Sequence, residues 1–143
     1  MSKITRVTAQ EVLDSRGRPT IEVAMTCSHT QGEGKQMSTV RAMVPSGKST
    51  GGAEAKELRD GDPNRYKGMG CLKAAENAQD ILGKALIGMD PTNQKDIDEK
   101  LLSFDNSPNK DKAEVSVCVC VCVCVWRGGG RRENINAMTN TVM

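Results

Sequence analysis

The residue types best suited to binding chemistry crowd into residues 44–52, which hold one proline, three glycines and three hydroxyl side chains. Such a stretch propagates neither a helix nor a strand, so its shape is set by turn chemistry. A strand-like run precedes it and a helix-like run follows it. Loops held between regular elements are the usual place for binding groups. Residues 44–52 are therefore the candidate functional loop.

One interpretation of this loop is a phosphate-binding P-loop, because residues 42–49 read A-x-x-x-x-G-K-S. In that motif backbone N–H groups hold phosphate, and Lys48 and Ser49 would serve phosphate and Mg²⁺. Three features oppose it: the first position is Ala42, Pro45 lacks an amide hydrogen, and no later apolar strand ends in an aspartate. A nucleotide-binding protein is therefore the less favoured alternative.

Three strands are predicted before the candidate functional loop. Residues 4–13 are rich in β-branched and apolar side chains, and residues 14–19 carry the Gly and Pro of a turn. Alternation with a period of two then marks two further strands, with apolar residues at Ile21, Val23, Met25 and Cys27, and at Val40, Ala42 and Val44. Residues 28–36, which include two glycines, are predicted to be a loop. Short connections imply an antiparallel meander.

Helices are predicted after the loop. Residues 53–59 are helix formers with glutamates near the start, and Arg59 and Asp60 are expected to fix the geometry of the turn that follows. Residues 71–86 place apolar side chains on one helical face and end before Gly88. A third helix is predicted to begin at Asp90 and Pro91, with an apolar stripe of Ile97, Leu101 and Phe104. The fold class is α+β: a three-stranded antiparallel meander followed by a layer of about three to four helices.

The C-terminal part of the sequence has a different character. Residues 105–112 are polar, and residues 117–125 are a strict alternation of valine and cysteine, followed by a Gly/Arg-rich stretch. An uncharged, proline-free alternation of this kind forms a strand that aggregates when exposed. A GT dinucleotide repeat encodes Val-Cys, so a shifted frame or a retained intron explains it most simply. The rival is a metal-binding or membrane-active cysteine tract, but no His or acidic ligand lies nearby. We therefore divide the chain into a domain, residues 1–112, and an irregular, aberrant tail, residues 113–143.

The cysteines and the single histidine are not expected to take part in chemistry. Cys27 and Cys71 lie in apolar sequence and are expected to be inert core thiols. The tail cysteines, two residues apart, suit neither disulfides with one another nor a zinc site. His29, the single histidine, falls in the predicted polar loop and is expected to be solvated.

The composition argues against a nucleic-acid or membrane partner. With 20 basic and 18 acidic residues, the formal charge of +2 gives no long-range field for nucleic acid or membrane binding. No apolar run approaches the roughly 20 residues of a membrane span, and the N-terminus lacks the build of a secretory signal. We expect a cytoplasmic protein with no nucleic-acid or membrane partner.

Several motifs, in order along the chain, together resemble one family. They occupy residues 11–23, 44–51, 57–62, 65–68 and 106–110. In this order they resemble the N-terminal domain of the enolases, over roughly residues 3 to 112. Enolases continue from this domain into a large α/β barrel, and by this resemblance we expect that the frame-like break near residue 113 replaces the barrel here.

The resemblance implies a reaction and a cofactor. Enolases are glycolytic lyases, also called phosphopyruvate hydratases, that interconvert 2-phosphoglycerate and phosphoenolpyruvate with a lysine base and Mg²⁺. The base, the acid and the carboxylates that bind the metal belong to the barrel, so no catalytic residue is expected in this chain. The N-terminal domain resembles a lid whose loop closes over substrate. By this resemblance the substrate loop consists of Ser46, Gly47, Lys48, Ser49, Thr50 and Gly51, with Ser49 a ligand of Mg²⁺.

Two further positions are assigned by the resemblance alone. Arg16 and Glu22 look like members of the enolase homodimer interface, each pairing with an oppositely charged barrel residue. Lys48 departs from the family, which usually has Ala there, and places a cation beside the presumed metal site. We expect an enolase fragment that is inactive alone. The alternative from another class is a non-catalytic interaction module with an exposed apolar patch.

Overall fold

The computed structural model describes residues 1–31, 34–43 and 57–104. Three antiparallel strands form one sheet in the order β1-β2-β3, and helices follow in sequence. This confirms the predicted α+β class with a three-stranded meander. The strands are β1 Ser2–Leu13, β2 Pro19–Gln31 and β3 Gly34–Met43.

The second and third strands are longer than the sequence indicated. Gln31 pairs with Gly34 across the hairpin, and pairing continues without a register shift to Glu22 and Met43. The predicted loop at residues 28–36 is therefore wrong for its described members, which are strand. The sequence did not indicate a strand here because none of these residues has an apolar side chain that could set a period of two.

One irregularity in β1 decides which of its side chains reach the core. The register between β1 and β2 shifts between Ile4 and Arg6, which leaves Thr5 as an inserted residue whose hydroxyl donates to the Thr26 carbonyl at 3.0 Å. Ile4 and Val7 are three apart, yet both are buried. A bulge permits this because the extra residue restores the facing of the side chains after it.

One long helical run covers the sheet. It consists of α1 Leu72–Asn77, a π-helical segment Ala78–Gly83 and α2 Lys84–Leu86, and Gly88 follows with a positive φ of 87°. The predicted helix over residues 71–86 is thus confirmed. At Gly83 an added Cβ would lie 3.0 Å from the Val7 Cβ, so the missing side chain lets the helix approach β1 closely.

The last described helix, α3 Gln94–Leu102, begins later than predicted. Asn93 caps it by accepting a hydrogen bond from the Asp96 amide, whereas Asp90 accepts from the Thr92 amide and hydroxyl in the preceding turn. Ile97 and Leu101 are buried as expected. Phe104 lies beyond the helix end and is 38 % exposed, so the stripe is shorter than the spacing suggested.

The core is a single cluster between the sheet and the helices. It takes its side chains from all three strands, from the long helical run and from α3. No helix among the described residues is long and apolar enough to cross a membrane. The two-part division at residue 112 stays a prediction, because residues 105–143 lie outside the described part of the chain.

Candidate functional site

The predicted substrate loop, including Ser49, lies within residues 44–56, outside the described residues. The structure describes the residues on either side of this stretch. The chain leaves at Met43, the end of β3, and is described again from Glu57. Residues 57–59 are not helical, so the predicted helix over 53–59 is wrong for its described members. In place of helical hydrogen bonds, the Arg59 side chain bonds to the Pro19 and Met69 carbonyls.

Arg59 holds the returning chain against the sheet. Its Nη1 atom donates to the Pro19 carbonyl at 2.7 Å and the Met69 carbonyl at 2.8 Å, and it lies 2.9 Å from the Cys71 Sγ atom. Its Nε atom donates to the Glu57 carboxylate at 3.1 Å. A planar guanidinium can make these bonds at once because its donors point in fixed directions. Arg59 therefore ties the end of the loop to β2 and to the start of α1.

Asp60 joins the same region to α1. Its carboxylate accepts from the Leu72 amide at 2.9 Å and the Lys73 amide at 3.0 Å, which are donors of the first helical turn without helical partners. Burial acts to raise the pKa of Asp60, but the two amide donors and the nearby Arg65 charge outweigh it, so the pKa lies below its ordinary 3.8. Asp60 thus acts as a cap for α1 although it is twelve residues away in sequence from Leu72.

Glu11 and Arg65 form a partly buried ion pair beneath this turn. Arg65 donates to both carboxylate oxygens of Glu11, whose side chain is only 7 % exposed, and the Cys71 amide donates to the same carboxylate. The hydrogen bonds from Arg65 hold the pKa of Glu11 below its ordinary 4.5, against the opposing effect of burial. The same pairing raises the pKa of Arg65. A bidentate pair of this kind fixes orientation as well as charge, so it locks the 65–71 segment onto β1.

A glycine makes this arrangement possible. A Cβ added to Gly70 would lie 2.5 Å from Asp60 Oδ2 and 2.8 Å from Arg65 Nη1, which is closer than real Cβ contacts allow. The backbone is fixed at the same place, since the Asp60 amide donates to the Gly70 carbonyl at 2.9 Å and the Gly61 amide to the Gly68 carbonyl at 3.0 Å. We call Glu11, Arg59, Asp60, Arg65 and Gly70 the loop anchor.

The described residues do not by themselves fit a magnesium site. Within residues 1–31, 34–43 and 57–104, no three His, Cys, Asp or Glu side chains converge where a metal could bind. The carboxylates of the loop anchor are engaged with guanidinium and amide donors rather than directed at a common point. We therefore derive no chemical step through a metal from these residues.

The two predicted interface residues already have partners within the chain. Arg16 lies in the turn after β1, with its Nε atom 3.7 Å from Asp14 Oδ2. Glu22, on the sheet face opposite the helices, accepts from Arg41 at 2.8 Å and from Gln10 at 3.0 Å. Their role between subunits stays a prediction.

The fold and the loop anchor can now be set beside known families. The sequence matches the family described as Enolase, N-terminal domain, over residues 4–139. The chain belongs to this family. The match covers most of the chain, and it agrees with the resemblance drawn from motifs and with the observed meander followed by helices. The matched range also extends past residue 112, the boundary predicted from composition, as far as residue 139.

Sequence reasoning found part of this site. Arg59 and Asp60 were expected to fix local geometry, and they do, although the element before them is not a helix. Glu11 and Arg65 lie within the enolase-like motifs, but the sequence pattern predicts no role for them. The missed signal was Glu11 itself, the single carboxylate of β1, because an acid with little solvent exposure needs a cationic partner.

Two ordinary explanations also needed correction. Cys71 is buried, as expected, but it touches the Arg59 guanidinium and is not in purely apolar surroundings. His29 is in β2, half-buried, with Nδ1 2.8 Å from the Ser2 hydroxyl and Nε2 2.7 Å from the Ser38 hydroxyl. It therefore bridges the three strands rather than lying in a solvated loop.

Proposed function

We propose that this enolase domain is the lid portion of a Mg²⁺-dependent lyase that interconverts 2-phosphoglycerate and phosphoenolpyruvate in glycolysis, and that the 143-residue chain alone does not catalyse this reaction. The observation that carries the proposal is the family match over residues 4–139. In the enolases the lysine base and the metal carboxylates lie in the barrel. Residues 1–143 taken by themselves are proposed to supply the lid and not the groups that move the proton.

The part assigned to this chain is positioning. Ser49 is the proposed Mg²⁺ ligand, and Ser46, Gly47, Lys48, Thr50 and Gly51 the proposed substrate loop. When bound, Mg²⁺ supplies charge that stabilises an enediolate. The loop anchor supports this role because it fixes the point to which the loop returns, and a binding loop on a rigid base loses less entropy when it closes. A cytoplasmic location and a homodimeric parent, with contacts at Arg16 and Glu22, complete the proposal.

The turnover assay is direct. The purified chain is incubated with 2-phosphoglycerate and Mg²⁺, and formation of phosphoenolpyruvate is followed by its ultraviolet absorbance. We expect no rate above a buffer blank, while a complete enolase in the same buffer serves as positive control. A rate that requires Mg²⁺ and disappears in Ser49→Ala would overturn the proposal that this chain is inactive.

A specific observation favours a second role, that of a non-catalytic interaction module. Tyr66, Met69 and Leu72 lie close together in sequence beside the loop anchor and are 45 %, 42 % and 47 % exposed. Apolar side chains exposed in one region are typical of a surface that another protein covers. Co-purification with a complete enolase subunit, lost in the Leu72→Ser variant, would support this role. A monomer in sedimentation that binds no enolase subunit would argue against it.

The nucleotide-binding alternative finds little support in the fold. A P-loop follows a buried strand of a parallel sheet, whereas β3 belongs to an antiparallel meander and ends the described sheet. ATP binding that is abolished by Lys48→Ala is the result this alternative requires.

A further inference from the structure

A histidine and two serines form a hydrogen-bonded row across the three strands. His29 of β2 lies between Ser2 of β1 and Ser38 of β3. The Ser2 hydroxyl lies 2.8 Å from His29 Nδ1, and the Ser38 hydroxyl lies 2.7 Å from His29 Nε2. Ser2 and Glu11 lie towards opposite ends of β1. These three residues, which we call the serine-histidine row, are therefore distinct from the loop anchor.

The strand register brings the three side chains to one face of the sheet. Ser2 is the direct partner of His29, whereas Ser38 pairs with Cys27, two residues before His29. Side chains two residues apart on a strand point to the same face, so His29 shares the face of Cys27, which is buried in the core. An imidazole is long enough to reach a diagonal neighbour as well as a direct one. The row is thus positioned by the sheet itself.

The row lies at the margin of the core, where water has only partial access. All three of its residues are half-buried, and Ile4, two residues after Ser2, is buried. The turn after the long helical run contacts β1 here, because the Ile4 amide donates to the Met89 carbonyl and the Gly88 amide donates to the Ile4 carbonyl. A hydrogen bond beside apolar groups is stronger than one in bulk water, and partial exposure still admits a small molecule.

The distances in the row meet the requirement for an activated nucleophile. Such a site needs a hydroxyl within about 2.6–3.2 Å of a base, and a third group that orients the base. In the serine-hydrolase arrangement, histidine Nε2 takes the proton of the nucleophile while Nδ1–H donates to the orienting group. Ser38 lies at Nε2 and Ser2 at Nδ1. We propose that Ser38 is a nucleophile, activated by His29, that accepts an acyl group from small activated carboxylic esters.

The proposed reaction is ester hydrolysis in two halves. Ser38 Oγ attacks the ester carbonyl carbon, its proton passes to His29 Nε2, and the leaving phenolate departs with the electron pair of the broken C–O bond. His29 then releases this proton to solvent. In the second half water attacks the acyl carbon, His29 Nε2 takes a proton from that water, and the proton returns to Ser38 Oγ as its bond to the acyl group breaks.

The groups in the row indicate the class of ester. The row supplies a nucleophile, a base and an orienting hydroxyl, and a phenolate leaves without needing a proton from an acid. The half-buried surroundings suit a short acyl chain. An acetyl ester of a nitrophenol is therefore the appropriate probe. This activity is separate from the proposed enolase role, so either proposal can fail without the other.

Acetylation by p-nitrophenyl acetate tests the nucleophile in the full chain. We expect peptide mass spectrometry to place an acetyl group on Ser38 and absorbance to show release of p-nitrophenolate. Because a positioned base contributes about 100- to 10,000-fold, we expect Ser38→Ala and His29→Gln to lower the rate of release by at least about 100-fold. His29 is the single histidine of the chain, so no other imidazole adds to the background rate.

A matched control places a serine on the same strand without a histidine. The Thr39 hydroxyl lies 2.9 Å from the Thr26 hydroxyl, so Thr39→Ser gives a serine beside a second hydroxyl, and we expect no acetyl group at position 39. Acetylation of lysine amines, of His29 or of Ser2 with Ser38 unmodified would overturn the proposal. So would a native rate in folded His29→Gln. Mapping the acetyl group on the native chain gives the answer even where a variant fails to fold.

Ser2 is assigned as a positioning residue, since it acts through His29. Ser2→Ala keeps the nucleophile and the base but removes the orienting hydroxyl, so we expect slower acetylation of Ser38. Ser2→Thr keeps a hydroxyl and should restore the rate. A Tm that falls in Ser2→Ala while the acetylation rate stays native would show that Ser2 only supports the sheet, and would overturn this assignment.

Discussion

Replacing Gly70 by alanine tests whether the loop anchor is as closely packed as its distances indicate. The new Cβ would lie 2.5 Å from Asp60 Oδ2, whereas ordinary contacts begin at 3.4 Å. Asp60 must therefore move by close to an ångström. Since its oxygens accept from the Leu72 and Lys73 amides at 2.9 and 3.0 Å, the movement breaks the cap of α1.

The magnitude follows from two contributions. Loss of a capping side chain costs about 1 kcal/mol, and overpacking of a rigid site costs about 1 to 3 kcal/mol. We therefore expect Gly70→Ala to lower the free energy of unfolding by about 2 to 4 kcal/mol. For a domain of about 100 residues this lowers Tm by roughly 10 to 25 °C. Thermal and urea unfolding followed by circular dichroism measure both quantities.

The cause is isolated by a double-mutant cycle with Asp60→Ala. In Asp60→Ala the carboxylate that would clash with the new Cβ at residue 70 is absent. The other close atom, Arg65 Nη1, is at the end of a long side chain that can move. Gly70→Ala should then cost clearly less than in the native background. Gly88→Ala provides a comparison in which only backbone strain acts, because its φ is 87° and nothing lies within 4 Å of its added Cβ; its loss should be the same with and without Asp60→Ala. An unchanged Tm for Gly70→Ala, or an identical loss in the Asp60→Ala background, would refute the reasoning.

Three further predictions concern stability. The pKa values of Glu11 and Asp60 in the folded chain lie below the ordinary 4.5 and 3.8, so both carboxylates bind fewer protons in the folded state than in the unfolded state. The stability that they add is therefore present above about pH 4.5 and is lost as the pH falls through the lowered pKa values. Urea titrations from pH 7 to pH 3 should show this loss, and Glu11→Gln should flatten it; an equally steep acid loss in Glu11→Gln would count against the assignment. Leu82→Ala, at a side chain 2 % exposed in the core, should cost about 2 to 5 kcal/mol in urea unfolding, and a loss under 1 kcal/mol would show that the cluster is loosely packed. Arg41→Ala should change the free energy of unfolding by at most about 1 kcal/mol, because its pair with Glu22 is largely exposed, and a larger loss would mean that this ion pair supports the sheet.

The sequence predicts the sheet and the main helix well because their apolar periodicities are strong. Ile21, Val23, Met25 and Cys27 alternate strictly and are all buried. The strand ends were missed, since Ser28, His29 and their neighbours are polar and find their partners across the sheet rather than in the core. Such hydrogen bonds depend on register, which a local pattern does not reveal.

The loop anchor was harder to predict for a related reason. Glu11 and Arg65 lie 54 residues apart, and only the fold brings them together. Gly70 carries no local signal either, because the space it leaves is needed by Asp60 and Arg65 rather than by a turn of positive φ. Long-range polar contacts of this kind follow from tertiary packing, whereas the apolar core follows from periodicity.

The central proposal is that residues 1–112 serve as the lid of an enolase. The most direct measurement replaces the N-terminal domain of a complete enolase by residues 1–112 and follows 2-phosphoglycerate turnover by the purified chimera. We predict turnover that requires Mg²⁺ and is lost in Ser49→Ala. A chimera that folds and assembles like the complete enzyme, yet shows no turnover above the blank, would contradict the account.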